Sequence, residues 1–165
     1  MTPLELVHDK LLPLADLSRR RCGWRTVSQR TVFTNGVFDL VHPGHLTYLA
    51  QAAGLGHRLI VGVNTDESVR RLKGSSRPVM PLAARMQLLA SLFFVDGVIP
   101  FDEDTPLELI KSLRPDILVK GGDYTPDTIV GATEVRSWGG SVEVLPYLDG
   151  HSSTGILSSI REEVA

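Results

Sequence analysis

His42 and His45 stand three residues apart, on either side of Gly44 and shortly after the apolar stretch at residues 31–34 (TVFT). Imidazole N–H groups donate hydrogen bonds to phosphate oxygens, where charge accumulates during transfer of a phosphoryl group. If a helix begins here, its free backbone N–H groups favour an anion, and Gly44 lets that anion approach the backbone closely. The chemistry implied is phosphate binding with stabilisation of a transition state at phosphorus. A histidine pair can also ligate metal, but no Cys or Glu beside it completes a zinc pattern, and no protein-held metal site is expected.

Three further segments carry groups suited to the same task. Arg71, Lys73 and Arg77 surround a Gly-Ser loop; a run of cations is often a solvated face, but beside a phosphate site it can hold a second phosphate or offset pyrophosphate charge. Lys120-Gly121-Gly122-Asp123-Tyr124 follows an apolar segment. There Lys120 can stabilise reacting phosphates, the glycines permit close backbone approach, and Asp123 can accept from a sugar hydroxyl. Ser152-Ser153-Thr154 precedes the last amphipathic stretch, where hydroxyls commonly cap a helix. Asp39 can orient the histidine loop or help hold a metal.

These residues must be positioned by regular elements, and the pattern of the chain supplies them. Strand-like runs occur at 31–34, 58–63, 95–100, 116–120 and 142–145, and helix-like runs at 44–53, from a Thr65 or Asp66 cap to Lys73, at 82–92, 106–113, 128–138 and 153–163. In the 44–53 helix, Leu46, Leu49, Ala50 and Ala53 are expected on the buried face; in the 82–92 helix, Leu82, Met86, Leu89 and Ala90. Repeated strand–helix alternation predicts an α/β, Rossmann-like, doubly wound parallel sheet of five strands with helices on both faces. Such sheets bind ligands beyond the carboxyl ends of their strands, where the strand order reverses. Residues 1–30 do not follow the alternation and predict an N-terminal helical extension, interrupted at Pro13, packed on the body or on a second subunit; residues 31–165 form the main domain of a single globular unit.

Bulk properties narrow the class. The 165-residue chain is 42% hydrophobic and 22% charged, with a formal net charge of −2, which argues against disorder and against a nucleic-acid binder. Its one cysteine, Cys22, excludes an internal disulfide. No secretory signal and no run long enough to span a bilayer is evident, so a cytoplasmic protein acting on small molecules is expected, without nucleic-acid or membrane partners. Gly54-Leu55-Gly56 lacks the third glycine of a dinucleotide fingerprint and follows a helix.

In this context His42-Pro43-Gly44-His45, within TNGVFDLVHPGH, resembles the HxGH signature of the cytidylyltransferase-like nucleotidyltransferases. The order of RLKG-SRPV, DTP, LVKGGDY and DG-SST after it is most similar to the D-glycero-β-D-manno-heptose 1-phosphate adenylyltransferases, with a chain length matching a free-standing form. The resemblance implies transfer of AMP from ATP to the sugar 1-phosphate, giving ADP-heptose for lipopolysaccharide core and surface glycans, with Mg²⁺ carried mainly on the ATP phosphates. It implies catalytic roles for His42, His45, Lys73 and Lys120. Nucleotide contacts are expected from Thr34, Asn35, Gly36, Phe38, Gly44, Asn64, Arg85, Gly121, Asp123, Ser152, Ser153 and Thr154. Acceptor contacts are expected from Asp39, Lys73, Arg77, Gly122 and Tyr124. Tyr147 replaces an arginine of glycerol-phosphate cytidylyltransferases, which argues against that branch. A homo-oligomer, dimer or higher, is expected. The alternatives are a sister enzyme using CTP or another phosphate acceptor, an aminoacyl-tRNA synthetase fragment, disfavoured by the lack of a KMSKS-like segment, and a non-catalytic nucleotide-binding module.

Overall fold

The computed structural model describes residues 1–146 and 153–164. In chain order the elements are α1 (Pro3–His8), α2 (Leu14–Thr26), β1 (Thr31–Gly36), α3 (Pro43–Ala53), β2 (Arg58–Asn64), α4 (Asp66–Lys73), α5 (Leu82–Ala90), β3 (Gly97–Phe101), α6 (Leu107–Leu113), β4 (Ile117–Gly121), α7 (Ala132–Ser137), β5 (Ser141–Leu145) and α8 (Ser153–Val164). The five strands form one sheet in the order β3-β2-β1-β4-β5, and each neighbouring pair is parallel. The chain builds outward from β1 in one direction through β2 and β3, then returns to the other side for β4 and β5. The order therefore reverses between β1 and β4, where a doubly wound sheet leaves a crevice.

Successive side chains of a strand point to opposite faces, and the core divides accordingly. Val32, Leu59 and Val61 pack with Leu49, Leu89 and Ala90 on one face. Phe33, Ile60, Ile99 and Leu118 pack with Ile110, Leu113 and Leu17 on the other. Fully burying a side chain such as Leu49 contributes about 1.5–3 kcal/mol.

The structure departs from the sequence expectation in two places. In α3 the buried residues are Gly44, Tyr48, Leu49 and Ala52, whereas Leu46 and Ala50 are exposed; the helix is turned so that Tyr48 reaches the sheet. The expected helix over 128–138 is a 3-10 turn, Pro126–Thr128, followed by α7. Gly131 breaks it with φ +89°, and a Cβ there would lie 2.7 Å from Ile110 Cδ1. The N-terminal extension is two helices. Between them the Leu12 N–H donates to the Val98 carbonyl (3.2 Å) and the Val98 N–H to the Lys10 carbonyl (2.8 Å), covering the β3 edge that would otherwise present unpaired backbone groups. Pro13 caps the start of α2, whose Leu17 packs onto the Cβ-less face of Gly97. Among the described residues no helix is long and apolar enough to cross a membrane.

Candidate active site

β1 pairs with β2 along its whole length, from Thr31↔Arg58 to Gly36↔Val63, but with β4 only at Val32↔Ile117 and Phe33↔Leu118. The two central strands thus part towards their carboxyl ends. Tyr48 of α3 fills the parting: its hydroxyl lies 2.5 Å from Thr34 Oγ1 and donates to the Val119 carbonyl at 3.3 Å. Polar groups left over by the interrupted ladder are paired without closing the crevice. Thr34, expected at the nucleotide, is fully buried and meets the Tyr48 hydroxyl at this junction.

Above the junction lies the histidine loop. His42 is the extended residue before α3 and Pro43 its first helical residue, a position where the missing N–H costs nothing. The His42 and His45 rings stack with centroids 3.9 Å apart, and the Phe38 ring meets His45 at 5.3 Å in an edge-on arrangement. Phe38 adopts a left-handed backbone, φ +49°, a conformation costly for a bulky residue; its ring, 5% exposed, is anchored in the core. Burial, the neighbouring His42 and, to a smaller degree, Lys73 lower the His45 pKa to about 4, with the Leu40 backbone carbonyl opposing. At neutral pH His45 is therefore an uncharged imidazole with one N–H to donate.

The loop is held by two buried charges. Asp39, 2% exposed, accepts from Arg77 Nε (2.5 Å) and from the backbone N–H groups of Val79 (2.8 Å) and Met80 (2.9 Å). Burial alone would raise its pKa, but the Met80 and Val79 N–H groups and the Arg77 guanidinium hold it below the ordinary carboxylate value. Of the three roles expected of Asp39, orienting the loop, helping hold a metal and meeting the acceptor, these contacts are those of loop orientation, although the side chain also reaches the cavity lining. Arg85 is fully buried and spends its guanidinium on the carbonyls of Met80, Val37 and Asn64 and the carboxylate of Asp66. Expected at the nucleotide, its guanidinium lies behind the cavity wall with its donors committed to protein acceptors.

Asn35, Gly36, Phe38, Asp39, His45, Asn64, Lys73, Arg77, Lys120, Gly121, Tyr124 and Ser153 line a cavity of about 530 Å³. His42 is not part of that lining and bears on it through its stacked partner. Gly44 is buried at the start of α3. Gly122, at φ +110°, gives its N–H to the Leu145 carbonyl, shaping the turn beside the cavity, and Asp123 is exposed outside the lining. Ser153 Oγ donates to the Leu40 carbonyl at 3.1 Å, tying α8 to the histidine loop. Ser152, the Thr154 side chain, His151 and Tyr147 lie outside the described residues.

Both lysines have lowered pKa values: Lys73 through desolvation and the adjacent Arg77, with Asp39 opposing, and Lys120 through desolvation alone. Lys120 Nζ lies 5.9 Å from the Tyr124 ring centre. Among the described residues no cluster of three His, Cys, Asp or Glu side chains could hold a metal ion. The lining holds one imidazole, two ammonium groups and one guanidinium, donors suited to oxyanions, beside the carboxylates of Asp39 and Asp104.

Sequence reasoning assigned no site role to Tyr48 or to Thr105, Pro106 and Ile129, which also line the cavity. Residues 104–106 follow the carboxyl end of β3, a position that the topology rule already singles out. Tyr48 carried no comparable signal, because its role depends on the unpaired stretch between β1 and β4.

Comparison with known proteins places this geometry. The cytidylyltransferase-like family model matches residues 33–158. The bifunctional protein HldE of Acidiphilium cryptum (strain JF-5) is 57% identical over 138 residues, covering 84% of this chain and 28% of that protein. The HldE of Methylobacillus flagellatus is 50% identical over 152 residues, covering 92% and 31% respectively. The chain thus spans less than a third of the length of these relatives. A solved structure of a lipopolysaccharide core biosynthesis protein from Thermoplasma volcanium GSS1 superposes with a TM-score of 0.58 at 28% identity, covering 73% of this chain and 97% of that one. Pantoate-beta-alanine ligase from Francisella tularensis shares the fold, with a TM-score of 0.59 at 16% identity, covering 92% of this chain and 76% of that one. The match across most of the chain, with the paired histidines opening a helix at the sheet's switch point, makes this chain a member of the cytidylyltransferase-like nucleotidyltransferase family.

Proposed function

We propose that the chain transfers AMP from ATP to D-glycero-β-D-manno-heptose 1-phosphate, releasing pyrophosphate and giving ADP-heptose. The observation that carries the reading is a single cavity at the β1/β4 crevice onto which His45, Lys73, Arg77 and Lys120 converge. The choice of sugar and of base is supported by the resemblance of the LVKGGDY and SRPV segments and by the similarity to HldE proteins and to a lipopolysaccharide core biosynthesis protein.

In the proposed reaction a phosphate oxygen of the sugar 1-phosphate attacks the α-phosphorus of ATP in line. A new P–O bond forms as the bond to the β-phosphate bridging oxygen breaks, and pyrophosphate leaves with that electron pair. The nucleophile is already ionised at neutral pH, so no general base is needed. Catalysis is positioning and charge stabilisation. His45, supported by the stacked His42 and drawn towards protonation by the substrate phosphates, donates an N–H to a phosphate oxygen. Lys73 and Arg77 face phosphate from one side of the cavity and Lys120 from the other. Tyr124 offers a flat face for a sugar. Mg²⁺ enters as part of the Mg·ATP substrate, on phosphate oxygens.

The test is pyrophosphate release with Mg²⁺ and each of ATP, CTP, GTP and UTP against heptose 1-phosphate, glycerol 3-phosphate and no acceptor. Release confined to ATP with heptose 1-phosphate is the expected result. Release with another pair reassigns the substrates, and nucleotide binding without release under any condition defeats the enzymatic reading.

A further inference from the structure

We propose that Arg85 is a positioning residue for nucleotidyl transfer: from outside the cavity, its guanidinium sets the spacing between the histidine loop and the loop that carries Arg77. The proposal rests on the transfer reaction given above.

Arg85 lies in the first turn of α5 and is fully buried. Its Nε donates to the Met80 carbonyl (3.0 Å), Nη1 to the Val37 carbonyl (2.6 Å), and Nη2 to the Asn64 carbonyl (2.9 Å) and to Asp66 Oδ1 (2.7 Å). Of the acceptors, Val37 and Asn64 line the cavity, and Met80 and Asp66 lie on segments that lead to its lining residues. Val37 lies between Gly36 and Phe38 in the loop that leads to the histidines. Asn64 ends β2 and itself lines the cavity. Asp66 opens α4, the helix that ends on Lys73. Met80 lies next to Val79 on the segment bound to Asp39. One planar group with donors in a fixed fork therefore fixes the relative placement of segments bearing Lys73, Arg77, Phe38 and Asn64.

Stability alone is a poor reason to place a charge there. A buried ion pair often contributes no more than well-packed apolar side chains of the same volume. No apolar side chain, however, can hold three carbonyls from separate segments at hydrogen-bonding distance. A lysine retains the charge but has a single nitrogen, with three donors and no planar fork, so it cannot reproduce this span. Displacements of about 1 Å in reacting groups can reduce turnover by about 10²-fold, so a loosened brace should appear in turnover first.

The test compares Arg85→Lys with Leu17→Ala in the full chain. Leu17 is fully buried against Gly97, the first residue of β3, at the end of the sheet opposite the cavity; its truncation weakens the fold without touching the braced loops. Wild type, assayed alongside, must release pyrophosphate; if it does not, the reaction assignment has failed and the proposal falls with it. With an active wild type, Arg85→Lys is expected to fold and to bind ATP within about threefold of wild type while kcat falls by about 10²-fold. Leu17→Ala is expected to melt at a lower temperature yet keep kcat within about twofold at a temperature where it is folded. Wild-type kcat in folded Arg85→Lys would overturn the proposal, as would an equal kcat loss in Leu17→Ala. Failure of Arg85→Lys to fold would also overturn it, by showing that the arginine serves the fold itself.

Discussion

The two walls of the cavity are built differently. On the β1 side the wall is braced from behind: Asp39 and Arg85 are 2% and 0% exposed, and their hydrogen bonds join the histidine loop to the residue 77–80 segment and to the end of β2. On the β4 side Tyr124 and Val130 are 49% and 42% exposed. Among the described residues Lys120 forms no ion pair, and its Nζ lies 5.9 Å from the Tyr124 ring centre. A wall organised before substrate arrives loses little on binding and stabilises the transition state without reorganisation. An open wall gains its order from the substrate, and its residues should influence affinity more than rate. On the proposed reading the braced wall carries most of the phosphate chemistry, with Lys120 facing it from the open wall, where the acceptor sugar is recognised.

The most damaging substitution on this account is Asp39→Ala. It leaves Arg77, whose side chain is 13% exposed, without its carboxylate and leaves the Val79 and Met80 N–H groups unpaired. Removing one partner of a buried ion pair costs about 3 kcal/mol or more, to be read from urea denaturation. A loss near zero would mean that the wall is not braced in this way. His45→Ala should reduce kcat by about 10²–10³-fold, as expected for removal of one preorganised donor. Steady-state pyrophosphate release measures this loss, and an unchanged kcat would remove His45 from the chemistry. On the open wall, Tyr124→Leu should raise KM for the sugar phosphate by about fivefold, on the order of 1 kcal/mol of aromatic contact, with kcat nearly constant. A kcat loss as large as that of His45→Ala would erase the distinction between the walls.

A further effect is in acid. The His45 pKa is lowered from 6.5 to about 4 in the folded chain, so the unfolded chain takes up this proton first as pH falls. The stability linked to this group is intact above 6.5 and is lost progressively between 6.5 and 4. Melting temperatures measured from pH 7 to pH 5 should fall, and His45→Gln should reduce the slope. An identical slope in the variant would mean that His45 is not held neutral. Nucleotide phosphates should raise the pKa of His45, which imidazole NMR shifts with and without ATP can follow.

The strands were legible in sequence because β1, β2 and β4 are buried on both faces and read as short apolar runs, and strand–helix alternation leads directly to a parallel sheet. The candidate site was legible where chemistry coincides with topology: His45 follows β1, Lys73 ends α4 and Lys120 lies near the end of β4, and the structure brings all three to one cavity. What could not be read depends on contacts distant in sequence. Tyr48 is turned into the sheet because β1 and β4 separate, a property of neither strand alone. Arg85 has the residue type of a phosphate ligand, and only its burial among Val37, Asn64 and Met80 shows that its donors are committed. The edge pairing of residues 10–12 with β3 arises from chain path, without a periodic signal in the sequence.

The most direct test of the central claim is to follow the α-phosphorus. ATP labelled there is incubated with heptose 1-phosphate and the protein, and the products are separated from the chain. The account predicts that the label appears in ADP-heptose, that unlabelled pyrophosphate forms in equal amount, and that no label is retained on protein. Label bound covalently to the chain, or release of orthophosphate with labelled ADP, would contradict direct in-line attack at this crevice.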